Sequence, residues 1–458
     1  MKNKKTLKWI IICCVTLLVE TLIIVAMLNS PTVAEIFYMI PEGTAIFLII
    51  LLTLLIISLG LFTVAYVIYC KKHKNSPIPL LKNLLTKELF KDDDEEEERA
   101  PRFCMLCRID EDKARYSQKS FDDNVSLRRF CDNFRNYAAS ELKLYYDISD
   151  IRRFIAGLAV SPIIILQGMS GTGKTSLAHA LGEFIENQST VIPVQPMWKE
   201  RTDLLGYYNE FTKRFNETLL LEKMYEANYS EEIYITVLDE MNIARVEYYF
   251  AEFLSLLELP NPDERYIDVV SDMWDNDPAQ LRDGRLKVPA NMWFIGTANN
   301  DDSTFAISDK VYDRAMILNL DTKAERFVAP RTKPMRLSAE RFRTLAEEAM
   351  REYSVTNRNM KRLEELDKYL IEHFHITFGN RIMKQIQSYI PVYVSCGGEE
   401  LEALDDILAK KIIRKLETQN PVYLRNAAEG LCNYLDELFG TDVMSISKDA
   451  IHRLERNA

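Results

Sequence analysis

Three short stretches of this chain hold residue types, at spacings, that suit phosphate chemistry. In "LQGMSGTGKTSLAHALGEFI", Gly168, Gly173, Lys174 and Thr175 fit the pattern G-x-x-x-x-G-K-[ST]. A loop built from Gly168, Ser170, Gly171, Thr172 and Gly173 lets backbone N–H groups close around phosphate oxygens, and a helix opening at Ser176 adds the partial positive charge of its N-terminus. Lys174 would reach the β- and γ-phosphates of a nucleotide, and the Thr175 hydroxyl would help to hold Mg2+. In "EEIYITVLDEMN", Asp239 can complete the Mg2+ shell and Glu240 can polarise an attacking water as a general base. In "NMWFIGTANNDDST", an apolar run gives way to amides and acids, and the Asn299 amide could position that water or contact a γ-phosphate. Asn and Asp also serve plain turns, and strands commonly end in solvated acids, so the last two stretches each have a bland alternative.

Residues 163–166 are a short apolar run suited to a buried parallel strand, and the stretch after Ser176 places Leu177, Ala180, Leu181 and Phe184 on one helix face. Residues 233–238 are β-branched and apolar, and the run before Gly296 is a third strand. In a doubly wound sheet ligand groups gather at the carboxyl ends of the strands, so the ends after Leu166, Leu238 and Ile295 are expected side by side. A small-molecule kinase shares the phosphate loop, but the Asp239–Glu240 pair favours hydrolysis, because a kinase must exclude an activated water. The expected α/β nucleotide-binding core spans 162–334, with a Pro- and Asp-rich insertion or hairpin at 259–290. A helical entry segment at 101–161 precedes it, and three- and four-residue apolar spacing predicts a helical lid and C-terminal extension over 335–458. The basic cluster Lys410, Lys411, Arg414 and Lys415 reads as a solvated helix side, with an interaction face as the alternative.

Among 458 residues, 47% are hydrophobic and 27% charged, as in a globular protein with some membrane content. The net charge of −11 argues against nucleic acid as a partner. Cys104 and Cys107 form a C-x-x-C with no second pair nearby, which favours reduced thiols over a zinc site. Segments 9–28 and 45–70 each reach the length of about 20 apolar residues that a membrane span needs. Lysines flank the outer ends of both segments and the connection between them has no Lys or Arg, which puts both termini in the cytoplasm. This predicts a two-pass hairpin in the cell membrane at 1–75, then an acidic linker at 76–100 that includes the run 92–98. Glu20, inside the first span, is either interhelical glue or a proton site.

In this order, "GMSGTGKTSL", "VLDEMN" and "FIGTANND" resemble the motifs of the AAA+ ATPase superfamily. They look most like its dynein-related branch, which includes the McrB-type methylcytosine restriction GTPase. The resemblance runs over about residues 125–390, with weaker support from "WKERTDLLGYY", "DKVYDRA" and "FGNRIMKQI". It implies a P-loop AAA+ core, a parallel sheet flanked by helices, with an α-helical lid and a C-terminal extension beyond it. Two transmembrane helices would precede that core. By the same resemblance Asn299 is a sensor-1 residue, Arg314 an arginine finger acting on a neighbouring subunit's ATP, and Arg381 a lid sensor-2 arginine. Residues 198–208 match a segment that often faces a central pore, and a ring, with a hexamer expected, is the implied assembly.

The chain departs from the restriction GTPase in two places. Where that protein has Asn-x-x-Asp-Arg, this chain has Asn299-Asn300-Asp301-Asp302-Ser303, so ATP is expected in place of GTP. A membrane hairpin also stands where that protein has a DNA-reading domain, so DNA restriction is not expected. The sequence therefore predicts a membrane-anchored cytoplasmic AAA+ ATPase that hydrolyses ATP-Mg2+ at ring interfaces to remodel an unknown protein partner. The alternatives are an ATP-controlled scaffold or switch with slow turnover, and a nuclease-partnered NTPase.

Overall fold

The apolar runs around the three motifs become the middle of one sheet. In this computed structural model, residues 101–457 are described, apart from 118, 300–303 and 322–323. The expected membrane spans 9–28 and 45–70, Glu20 and the acidic linker lie outside the described residues, as do Asn300 to Ser303. No helix among the described residues is long and apolar enough to cross a membrane. The chain divides into two units, Met1–Glu98 and Arg99–Ala458, and the described residues lie in the second.

Strands β1 (Ile163–Gly168), β2 (Thr190–Pro193), β5 (Tyr234–Asp239), β8 (Met292–Asn299) and β9 (Met316–Asn319) form a sheet in the order β2-β5-β8-β1-β9. All its pairings are parallel. Every residue of β1 is buried, and of β8 only Asn299 is not, which is why both read as unbroken apolar runs rather than alternating ones. Two small antiparallel hairpins project from this core: β3 (Gly206–Asn209) with β4 (Arg214–Glu217), and β6 (Tyr266–Asp268) with β7 (Arg285–Lys287). The second lies within the expected insertion.

The period of two along each strand separates two apolar layers. Ile163, Ile165, Phe294 and Leu238 pack into one, together with Phe215 and helix α1 (Met105–Glu111). Ile164, Leu166, Ile295 and Leu318 pack into the other, with helices α2 (Leu127–Ser140), α3 (Ile148–Val160) and α4 (Lys174–Phe184). Helix α5 (Leu219–Ala227) belongs to the first layer, and α6 (Ala251–Leu256) lies beside it.

The second layer continues without a break into the C-terminal helices α7 (Ala339–Glu352), α8 (Asn357–Phe374), α9 (Gly379–Ser395), α10 (Glu400–Lys411), α11 (Pro421–Phe439) and α12 (Ser445–Asn457). The start of α7 shows how the entry segment grips this helical part. Ser338 caps α7 by accepting from Arg341 N at 3.1 Å, and its hydroxyl donates to Asp123 at 2.9 Å. At the other end of the described chain, buried Arg102 pairs with Asp277 at 2.6 Å and lies 4.5 Å over the Trp274 ring, pinning the loop between β6 and β7. Cys104 is exposed, and burial pushes the Cys107 thiol up to about 11.

One expectation is corrected. Lys410 and Lys411 are not on a solvated helix side: they are 7% and 2% exposed, and Lys410 is paired with buried Asp406. The C-terminal position of these lysines in α10 is where basic residues usually cap a helix in water, but here Lys410 lies against Asp406 and Lys411 against the carbonyls of Tyr312 and Ala315.

Trp293, near the start of β8, joins α3 and α7 to one face of the sheet. Its indole N–H donates to Leu158 O at 2.7 Å, and its ring meets Phe342 edge-on at 5.6 Å. Trp293→Ala should therefore cost about 3–5 kcal/mol, read as a lower midpoint in urea unfolding. A loss below about 1 kcal/mol would mean that this contact does not hold the helices to the sheet.

Candidate active site

Sheet order brings the three motifs to one edge. β8 lies between β5 and β1, with Gly168 opposite Asn299 and Leu238 opposite Gly296. The residues that follow these strands therefore share the carboxyl side of the sheet, as the sequence predicts.

The phosphate loop needs glycine at two positions for steric reasons. Gly168 has φ 146°, and a Cβ there would lie 2.3 Å from the carbonyl oxygen of Leu320. Gly173 sits in the left-handed region at φ 93° and starts α4 with no side-chain cap. A helix start of this kind leaves N–H groups for an anion. Tyr146 supports the loop from α3's side, its hydroxyl donating to Gly173 O at 3.1 Å. Burial pushes that phenol well up, so it stays a neutral donor. Lys174 is buried, and its ammonium donates to Gly168 O at 3.0 Å and Met169 O at 2.8 Å, bent back over the loop.

The acids are held by two threonines. Oδ1 of Asp239 accepts from Thr175 Oγ1 at 2.7 Å and from Thr297 Oγ1 at 2.8 Å. Thr297 in turn accepts from the backbone N–H of Glu240 at 2.9 Å. Glu240 is exposed and adopts left-handed backbone angles, φ 53° and ψ 45°, a conformation that costs a residue with a Cβ of order 1–3 kcal/mol. It is followed by the 3-10 turn Met241–Ile243, and Met241 fills the space above Gly296, where any Cβ would be 1.9 Å from its sulfur. The glycine in "FIGTANN" thus makes room for the turn that presents Glu240.

Asn299 ends β8 half-buried, and its carbonyl accepts from Asn242 Nδ2 at 2.9 Å and Thr304 Oγ1 at 3.1 Å. Asn242 O also accepts from Phe305 N at 2.8 Å, so one asparagine ties the Glu240 turn to both ends of the Asn299 loop. Sequence reasoning singled out neither Thr297 nor Asn242. Their signal was position, two and three residues from a motif acid or amide, rather than residue type.

Arg314 and Arg381 form a separate group. Arg314 Nε lies 2.7 Å from one oxygen of Glu258, and Arg381 lies 2.7 Å from the other. Arg314 also donates to Lys310 O at 2.8 Å. Glu258 was not foreseen, since nothing local in the sequence links it to either arginine.

The donor set fits a triphosphate with a hard divalent cation. A hydroxyl and a carboxylate, Thr175 and Asp239, supply oxygen ligands, and a loop without side-chain bulk lets backbone N–H groups approach phosphate. Bound there, the cation would neutralise phosphate charge. Thr297→Val tests the threonine pair. It should lower stability by about 1.5–3 kcal/mol, because a hydrogen bond to a charge is lost. It should also cut kcat for ATP about tenfold or more, because Glu240 loses the bond that fixes its backbone. Unchanged kcat at normal binding would show that this bond does not position Glu240.

Residues 163–315 match the AAA domain (dynein-related subfamily), and residues 331–458 match a domain of unknown function (DUF8727). Among solved structures the chain is similar to a "putative ATPase" from Cytophaga hutchinsonii at 14% identity and a TM-score of 0.37, covering 78% of this chain and 99% of that one. It is also similar to a full-length MCM homolog from Methanopyrus kandleri at 12% identity and a TM-score of 0.34, covering 61% of this chain and 59% of that one. No curated protein matches the chain. The phosphate loop, the paired acids and Asn299 all fall inside the segment 163–315 that matches the AAA domain, and that match supports an ATPase.

Proposed function

We propose that this protein hydrolyses ATP at sites completed by a second copy of itself, in a ring held at the cell membrane by residues 9–28 and 45–70, and that the cycle remodels a protein partner. The observation that carries the proposal is the Thr175–Asp239 hydrogen bond of 2.7 Å, which joins the phosphate loop to the acidic strand end with Glu240 beside it. In this reading the loop 168–176 and Lys174 bind the phosphates, and Thr175 and Asp239 hold Mg2+. Glu240 accepts the proton of the attacking water while Asn299 orients that water against the γ-phosphate. Arg314, supplied by the neighbouring subunit, neutralises charge that develops in the transition state, and Arg381 serves the same phosphates from the lid.

ATP is the proposed nucleotide because Ser303 stands where the GTPase relative has arginine. The division into a hairpin at 1–75, a linker at 76–100, an entry segment at 101–161, a core at 162–334 and a lid with extension at 335–458 belongs to the same proposal. Tyr207, in the segment 198–208, and Phe211, in the β3–β4 turn, are exposed, and in this proposal they are free to grip a partner.

The two-subunit site is tested by mixing variants. Arg314→Ala should retain ATP binding and lose turnover by about 10³-fold or more. Mixed in equal amounts with Glu240→Gln, which is also inactive, it should recover about a quarter of the parental rate, since one interface type in four joins an intact Glu240 to an intact Arg314. Loss of ATP binding, or no recovery on mixing, would place Arg314 in its own subunit's structure instead.

A further inference from the structure

Lys411 at the end of α10, and Arg414 and Lys415 just beyond it, gather on the segment that carries Arg314. Lys411 donates to Tyr312 O at 2.6 Å and to Ala315 O, and Gln385 of α9 donates to Asp313 O at 3.1 Å. The hydroxyl of Ser161 donates to Arg314 O at 3.2 Å. Four consecutive carbonyls, 312 to 315, thus each accept from a side chain, and three of these bonds come from the C-terminal helices. Around them, Arg414 pairs with Asp309 at 2.6 Å and lies 3.9 Å from the Tyr312 ring centre, and Lys415 approaches Asp313 at 3.8 Å. Arg381 completes the arrangement, sharing Glu258 with Arg314.

Such an arrangement has a physical cost that plain packing would avoid. The Lys411 amine is pushed down to about 7 by burial, with Arg414, Lys415 and Arg381 acting in the same direction and Asp313 against it. A buried amine must find hydrogen-bond acceptors, and Lys411 finds two on this one segment, the carbonyls of Tyr312 and Ala315. Buried carbonyls outside a helix or ladder need partners, and a chain segment whose partners lie on another domain takes its position from that domain. Residues 312 to 315, which run from the end of the short helix Asp309–Tyr312 to β9, are such a segment, with Ala315 buried and the other three half-buried.

We infer that the C-terminal domain of unknown function is the seat of Arg314. Lys411 and Gln385 fix the backbone on both sides of it, and Glu258 aligns its guanidinium with that of Arg381. All three are positioning residues, acting through Arg314 on the neighbouring subunit's nucleotide. This rests on the reading of Arg314 given above, and it assigns to residues 331–458 a part in the hydrolytic step.

The test uses the full-length protein. Lys411→Met and Gln385→Leu should each lower kcat roughly 10–100-fold, with KM for ATP changed by no more than about threefold, because a displaced arginine affects the transition state more than binding. Gln385 is only half-buried, so its variant remains informative if Lys411→Met does not fold. On an Arg314→Ala background neither substitution should lower turnover further. Mixing either one with Glu240→Gln should restore activity, since the Glu240→Gln subunits carry an intact seat. Parental kcat in both variants, additive losses with Arg314→Ala, or no recovery under conditions where the Arg314→Ala and Glu240→Gln mixture recovers, would each overturn the seat. If that reference mixture itself fails, the two-subunit reading of Arg314 falls, and the seat falls with it.

Discussion

A single oxygen of Asp239 accepts hydrogen bonds from Thr175 and Thr297, and through it three segments far apart in sequence are tied together. Bonds from hydroxyls to a carboxylate are worth about 1.5–3 kcal/mol each, more than most surface contacts, so the phosphate loop, β5 and β8 are coupled at their functional ends. The sheet order makes this possible, because only with β8 beside both β5 and β1 do these strands end at one edge. Thr297 then passes the constraint on by accepting from the N–H of Glu240, whose left-handed backbone would not otherwise persist. The general base of the proposed reaction is therefore placed by a carboxylate that it does not itself touch.

The same core shows how the helical C-terminal part enters. One apolar layer runs from Ile164 and Trp293 in the sheet through Phe342 to Ile386 and Leu408 without an interruption. A lid packed this way moves with the sheet face that it covers, unless the helices slide on one another. The polar contacts to residues 312–315 lie at its rim, close to Arg314, where small shifts of α9 and α10 are felt most directly.

Much of the site was legible in the sequence because its signals are local. The glycines of the phosphate loop, the apolar run into Asp239 and Glu240, and the run into Asn299 each declare a strand end by residue type and order. Thr297 and Asn242 carried no such mark: threonine and asparagine are common near strand ends, and only the register of β8 against β5 gives them partners. Glu258 could not be paired with Arg314 and Arg381 from spacing, since the three residues come from three different segments. Lys410 and Lys411 misled for the opposite reason. Two lysines at a helix C-terminus match a common solvated pattern, and tertiary burial overrode it. The predicted membrane hairpin falls on residues outside those that the structure describes.

The central claim is that Glu240, placed by Asp239 and Thr297, drives ATP hydrolysis. Its most direct test is steady-state phosphate release by the full-length protein, compared with the Glu240→Gln variant at saturating ATP-Mg2+. Turnover should fall by about 10²-fold or more in the variant while ATP binding is retained, as expected when a general base is removed. Equal phosphate release by the two proteins would contradict the claim.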